Sequence, residues 1–250
     1  MIRILTLLLL LLAGFQAHGA DALSAKDLAA KLSALQQDGS SLVRLKMTTK
    51  STLQLQIKQR RTANSTEVVY QVIWPKERTG EAVLLRQTGT QAATGILFVP
   101  PATFTPLDMK MALFGSALSY ADVLENFFAW PNHTLIGTEV VNRVNCQILE
   151  SKPGKGHRSN YATVRTWVDT NRFVPLRVEK YNTAGQMMRR IDSGRIVTDD
   201  IGRHVPASLN VKDAQTSSST ELDGSKLKHD VTFTAEEFTP EGLKQIGVRR

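Results

Sequence analysis

The side chains able to do chemistry in this sequence are few and scattered. Five histidines occur, His18, His133, His157, His204 and His229, and none has a second histidine at metal-ligand spacing on one helix. A metal site assembled from separate strands is the one arrangement left open. Ser24, Ser116 and Ser119 lie outside any G-x-S-x-G turn, which argues against an exposed serine nucleophile. The single Cys146, between Asn145 and Gln147 in an alternating stretch, reads as a small buried core residue rather than a reactive thiol. Asp169 follows Trp167-Val168 at a turn, where its carboxylate can accept from amides two residues on. Asp199-Asp200, with Gly202 two residues later, reads as a solvated turn without a partner cluster. The expectation is no catalytic residue, no metal and no cofactor.

One set of residues differs in kind. Met109, Met111, Phe114, Leu118, Tyr120, Leu124, Phe127 and Phe128 fall within a stretch whose only formal negative charges are Asp122 and Glu125. Flexible and aromatic apolar groups suit a pliable binding surface, and they suit ordinary core packing equally well. Both readings stand at this point.

The elements that must position these residues follow from periodicity. Residues 24–37 read as an amphipathic helix, capped by Ser24 and carrying Leu28, Leu32 and Leu35 at helical spacing. Beyond Asp38-Gly39 the period becomes two. Leu53, Leu55 and Ile57 alternate with Gln54, Gln56 and Lys58, which puts the aliphatic groups on one face of a strand. Further strands are expected at 67–74, 82–87, 95–99, 134–140, 144–150, 162–169, 174–181 and 186–195, with two more near 205–211 and 228–234. Turn residues separate many of them, and the polar 216–220 stretch reads as a late hairpin loop. Many short strands on short turns predict an antiparallel meander that curls, with 109–130 as a helix-and-loop cover.

The N-terminus carries an address. Arg3, the apolar run Leu5 to Leu12, and Ala17-His18-Gly19 have the pattern of a signal peptide cleaved near residue 20. The run is shorter than the roughly 20 residues of a spanning helix. No cysteine closely follows it, so an acylated N-terminus is not expected and the product should be free in the periplasm. The remaining residues, 21–250, read as one domain, long enough for a hydrophobic core without disulfides. Removal of Arg3 takes the formal charge from +8 to +7. These charges are spread along the chain and aromatics make up only 6%, which argues against a nucleic-acid partner. Short basic clusters such as Arg60-Arg61 and Arg189-Arg190 fit attraction to anionic head groups, or a solvated surface without function.

An ordered set of segments resembles the outer-membrane lipoprotein-sorting proteins of the LolA-like superfamily. The set comprises Val72-Ile73-Trp74-Pro75 with Gly80-Glu81-Ala82-Val83-Leu84-Leu85, Leu97-Phe98-Val99-Pro100, and Gly115-Ser116-Ala117-Leu118-Ser119-Tyr120-Ala121-Asp122-Val123-Leu124. Downstream come Cys146-Gln147-Ile148-Leu149-Glu150, Tyr161 to Asp169, and Pro175-Leu176-Arg177-Val178-Glu179. The resemblance covers about residues 40–200 and implies an unclosed antiparallel half β-barrel, an N-terminal helix and a helical lid. It also implies an apolar cavity for acyl chains, with no catalytic residue and no cofactor. By that resemblance Leu55, Ile57, Trp74, Leu84, Leu97, Met111, Phe114, Leu118, Tyr120, Leu124 and Phe127 would line the cavity. Which face of each strand points inward is not fixed, because a shift of one residue inverts it.

The function so implied is a monomeric periplasmic carrier that takes a lipid or the acyl chains of a lipoprotein between membranes, as a chaperone in lipoprotein sorting. Contact with a membrane or membrane protein would be transient. One alternative is a sensor that binds a lipid or protein partner with the same half-barrel. Another is an enzyme acting on lipids or cell-wall polymers, for which Asp122, Asp169, His133 or His157 would be the groups to test.

Overall fold

Ser24 starts the described chain's first helix: its hydroxyl accepts from the Asp27 amide at 3.1 Å and donates to the Asp27 carboxylate at 2.6 Å. The computed structural model describes residues 23–36, 39–62, 64–89 and 91–245. The expected signal segment lies outside these residues. The first helix, α1, spans Ala25–Gln36 and buries Leu28, Ala29 and Leu32.

Strands follow in chain order as β1 Ser40–Thr48, β2 Thr52–Arg61, β3 Ser65–Trp74, β4 Ala82–Thr88, β5 Thr94–Val99 and β6 Thr103–Pro106. After a long connection come β7 Asn132–Val141, β8 Val144–Lys152, β9 Thr163–Asp169, β10 Val174–Tyr181 and β11 Met187–Ser193. The chain then makes β12 Ile196–Thr198, β13 His204–Pro206, β14 Ser208–Asp213, β15 Ser219–His229 and a short helix, α2, at Pro240–Gln245.

Thirteen strands form one antiparallel sheet in the order β6-β5-β4-β3-β2-β1-β15-β14-β11-β10-β9-β8-β7, and β12 and β13 pair apart as a hairpin. The late strand β15 joins the two meanders by pairing with β1 on one side and β14 on the other. The edges β6 and β7 do not pair with each other, so the sheet is unclosed. They are neighbours in sequence, and residues 107–131 therefore travel from one edge of the sheet to the other. This segment crosses one face, here called inner. Leu113, Tyr120 and Leu124 meet Leu55 and Ile57. Ala117 and Leu118 meet Val211, and Phe127 and Phe128 join α1 over Val164 and Val178.

Where both faces are covered, alternation disappears from the sequence. Val68, Tyr70, Val83 and Leu85 point inward. Val69, Ala82 and Leu84 point outward, where Phe238 and Leu243 of the C-terminal segment cover them. That burial on both faces explains the unbroken apolar runs of β3 and β4.

Several expectations are corrected. Strand β1 was not expected, although Val43, Leu45 and Met47 alternate. The expected strand near 205–211 is two strands parted at Ala207, whose amide bonds Arg195. The strand placed at 228–234 instead ends at His229, because Asp230 adopts φ 53°. It begins at Ser219, which shortens the expected 216–220 loop. The cover contains only single turns, at Leu113–Gly115 and Phe127–Ala129, with tight turns between.

Candidate functional site

The turn Ser119 to Asp122 sets the site. Asp122 accepts from the Ser119 amide and hydroxyl, each at 2.8 Å, which folds the lid back on itself. Its other carboxylate oxygen accepts from Tyr161 Oη and from Lys180 Nζ of β10, both at 2.7 Å. The Asp122 and Lys180 side chains are 0% and 2% exposed. Around them, Glu125 lies 3.6 Å from Lys180, while Arg189 of β11 lies 3.8 Å from Asp122 and 2.5 Å from Asp213. Burial alone would raise the Asp122 carboxyl. The Lys180 ammonium, with hydrogen bonds from Lys180, Ser119 and Tyr161, outweighs it and holds the pKa at about 2. Burial, and then the Asp122 charge, push the Tyr161 phenol up.

Beside this pair lies a hollow of about 410 Å³, between α1, the lid and the inner face of the sheet. Its apolar wall includes Leu35, Val123, Phe127, Phe128, Val178 and Ile191, and Asp122, Lys180 and Arg61 also border it. A wider and more polar cleft, about 1030 Å³, runs along the rim formed by the β2–β3 and β4–β5 turns and residues 155–161.

The structure brings Leu55, Ile57, Tyr120 and Leu124 together in one buried cluster, with Leu97 and Phe114 packed against it. Leu118 packs beside Val211. Of the expected lining residues, Phe127 borders the hollow and Leu124 borders the wider cleft. Trp74 and Met111 are exposed, at 48% and 61%. Leu84 points to the outer face, packed with Phe238 and Leu243. The inner cluster between the lid and β1 to β5 is packed side chain against side chain, and the hollow lies beside it, bordered by Ser41, Gln59 and Arg61 on one side and by Val178, Lys180, Ile191 and Leu209 on the other.

Sequence reasoning did not single out Val178, Lys180 or Ile191 as site residues, and it named Arg61 only within a basic cluster. A β-bulge between Pro175 and Arg177 lies between Val174 and Leu176, which pack with Trp167, and Val178, which faces α1. The buried positions of β10, Val174, Leu176, Val178 and Lys180, alternate in sequence but do not all join the same cluster. A usable signal for Lys180 was its place in the alternating row Val174, Leu176, Val178, whose other members are aliphatic.

Asp169 accepts from the amides of Asn171 and Arg172, as a turn-former does. The Cys146 thiol is buried, and burial pushes its pKa up. His133 meets Ser151 at 3.0 Å and His157 stands edge-on to Trp130. Asp199-Asp200 is not an isolated solvated turn. These carboxylates and His229 from β15 form a group whose ligand atoms lie within 4.8 Å of one another. Arg203 pairs with Asp199 at 3.0 Å and with the far nitrogen of His229, so a guanidinium already offsets one of the two carboxylates.

A family described as "Uncharacterized protein" matches residues 64–245. Among solved structures, a DUF1329 family protein from Desulfovibrio piger superposes with a TM-score of 0.79 at 19% identity, covering 88% of this chain and 97% of that one. A candidate outer membrane lipoprotein-sorting protein domain from Vibrio parahaemolyticus gives 0.76 at 21% identity, over 88% and 97%. A LolA superfamily protein from Nitrosomonas europaea gives 0.66 at 18% identity, over 87% and 98%. No curated protein sequence matches. At these identities the likeness establishes the fold, which is LolA-like: mostly antiparallel, one large unclosed sheet and few helices.

Proposed function

The chain belongs to the family that matches residues 64–245, and from that membership, its LolA-like fold and the hollow under its lid we propose that it is a non-enzymatic carrier of lipid or lipoprotein acyl chains. The observation that carries this reading is the hollow of about 410 Å³ between lid and sheet. Its size lies inside the roughly 300–1,000 Å³ of ligand sites, and half of the residues that border it are apolar, the rest polar or charged. Each buried methylene contributes about 0.8 kcal/mol. A chain of roughly a dozen carbons thus gains on the order of 10 kcal/mol before immobilisation, enough for transport through water. Release requires the lid to exchange that burial for a membrane or a receptor.

The carrier works in the periplasm as a single domain of residues 21–250, after cleavage near residue 20, and touches membranes transiently as a monomer. Among the described residues no helix is long and apolar enough to cross a membrane. Native mass spectrometry of the purified protein should find a co-purified lipid, and labelled lipid should pass from the protein to acceptor vesicles. A protein that is empty and takes up no fluorescent fatty acid would defeat the proposal.

A further inference from the structure

Arg61 ends β2 at the junction of the two spaces and borders both. Its Nη1 donates to the carbonyl of Gln36, the last residue of α1. Its Nε is shut off from solvent and has no hydrogen-bond partner. Nη2 also donates to no described residue, so the Nε/Nη2 edge, the one suited to a bidentate oxyanion, is empty. Neighbouring arginines use that same edge. Arg60 spends it on Glu67, and Arg78 spends it on Glu81 at 3.0 and 2.6 Å.

The other cations around the hollow are matched by carboxylates: Lys180 by Asp122 at 2.7 Å and Arg203 by Asp199 at 3.0 Å. Arg61 has no such partner among the described residues. Desolvation by burial pulls its pKa down, with Tyr70 opposing. An arginine nevertheless keeps its charge at neutral pH. A desolvated cation without an anion is a costly feature, and an incoming anion would relieve that cost. The wider cleft next to it supplies more positive charge than negative, with Lys110, Lys155 and Arg158 set against Asp108 and Glu125.

We propose that Arg61 is the headgroup anchor of the cargo: its open edge binds the phosphate of an anionic amphiphile whose chain lies in the hollow and whose remaining polar groups extend along the cleft. This rests on the carrier reading and narrows it to anionic, phosphate-bearing lipids. The pairing forms when the lid moves to admit the chain.

Isothermal titration of the mature protein tests this with three amphiphiles of one chain length: lysophosphatidylglycerol, lysophosphatidylcholine and an uncharged monoacylglycerol. Inorganic phosphate alone is the fourth probe. The wild type should bind lysophosphatidylglycerol at least about tenfold more tightly than the monoacylglycerol, the scale of a charge-assisted hydrogen bond. Arg61→Gln should bring the two to parity without changing affinity for the monoacylglycerol, and Arg61→Lys should keep part of the preference. Inorganic phosphate should bind far more weakly than the lysolipid. Equal affinity of the wild type for all three amphiphiles would overturn the anchor and leave the carrier standing. Equal loss of all three in Arg61→Gln would assign Arg61 to packing of α1, and free phosphate binding as tightly as the lysolipid would make the site one for a soluble anion. Failure of every amphiphile would remove the carrier reading itself.

Discussion

Replacing Asp122 by Asn is the most informative single change for the stability of the lid. It leaves the Lys180 ammonium, 2% exposed, with only Glu125 at 3.6 Å as a counter-charge. Breaking a buried ion pair by removing one partner costs about 3–5 kcal/mol, because the surviving charge stays desolvated. Lys180→Met should cost less. Asp122 then keeps its bonds from Ser119 and Tyr161 and has Arg189 at 3.8 Å. The double variant Asp122→Asn/Lys180→Met should recover much of the loss, since no charge of the pair then stays buried without its partner. Urea denaturation with linear extrapolation measures all four proteins, and the cycle should give a coupling of at least about 2 kcal/mol. Additive single effects, or an Asp122→Asn cost below about 1 kcal/mol, would refute the argument that this pair ties lid to sheet.

The same pair sets an acid limit. The Asp122 pKa is lowered from 3.8 to about 2 against the groups that face it, Lys180, Arg189, Tyr161 and Glu125. A depressed folded-state value stabilises above the unfolded value and is lost on descent toward the folded one. About 2 kcal/mol should therefore disappear between pH 4 and pH 2. Asp122→Asn should lack this component, and a wild-type and variant that lose stability in parallel over that window would contradict it.

Three further outcomes follow from placement. Ile191→Trp should fill the hollow and lower lipid uptake at least about tenfold while leaving the melting temperature within a few degrees, which a fluorescent fatty-acid titration and calorimetry would check. Leu84→Ala should destabilise by about 2–5 kcal/mol with unchanged ligand affinity, because its contacts are with Phe238 and Leu243 on the outer face. Cys146 should resist a thiol reagent in the native protein and react on unfolding, since it is 1% exposed and its thiol is pushed up by burial.

The sheet was largely legible because alternation and turn residues are local signals. Leu53, Leu55 and Ile57 alternate with polar neighbours in the sequence and lie together, buried, in β2. Inward and outward faces were not legible where both are covered. Leu84 lies in an apolar run that carries no phase, and only the docking of residues 238–243 reveals which side it takes. The site was obscured for a different reason. Asp122, Tyr161, Lys180 and Arg189 come from separate elements, and no spacing in the sequence links a lid turn to the strands opposite it. Asp199 and His229 likewise meet only because the β12–β13 turn reaches the end of β15.

The ion pair also explains where beneath the lid the hollow opens. From Met109 to Leu124 the lid packs apolar side chains against the aliphatic residues of β1 to β5. At Asp122 it reaches β10, whose inward Lys180 cannot interdigitate with hydrocarbon as a leucine would. A hydrogen-bonded carboxylate and ammonium fix the separation between lid and sheet at a 2.7 Å contact instead. Beyond that contact Phe127, Phe128 and α1 rest on Val164, Val168 and Val178, and the unfilled volume lies between the two packed regions, bordered by Asp122 and Lys180 themselves. Close packing in an all-apolar interior would tend to remove such a void. The polar contact that holds the lid down is thus also the contact that holds it away from the sheet beside the hollow.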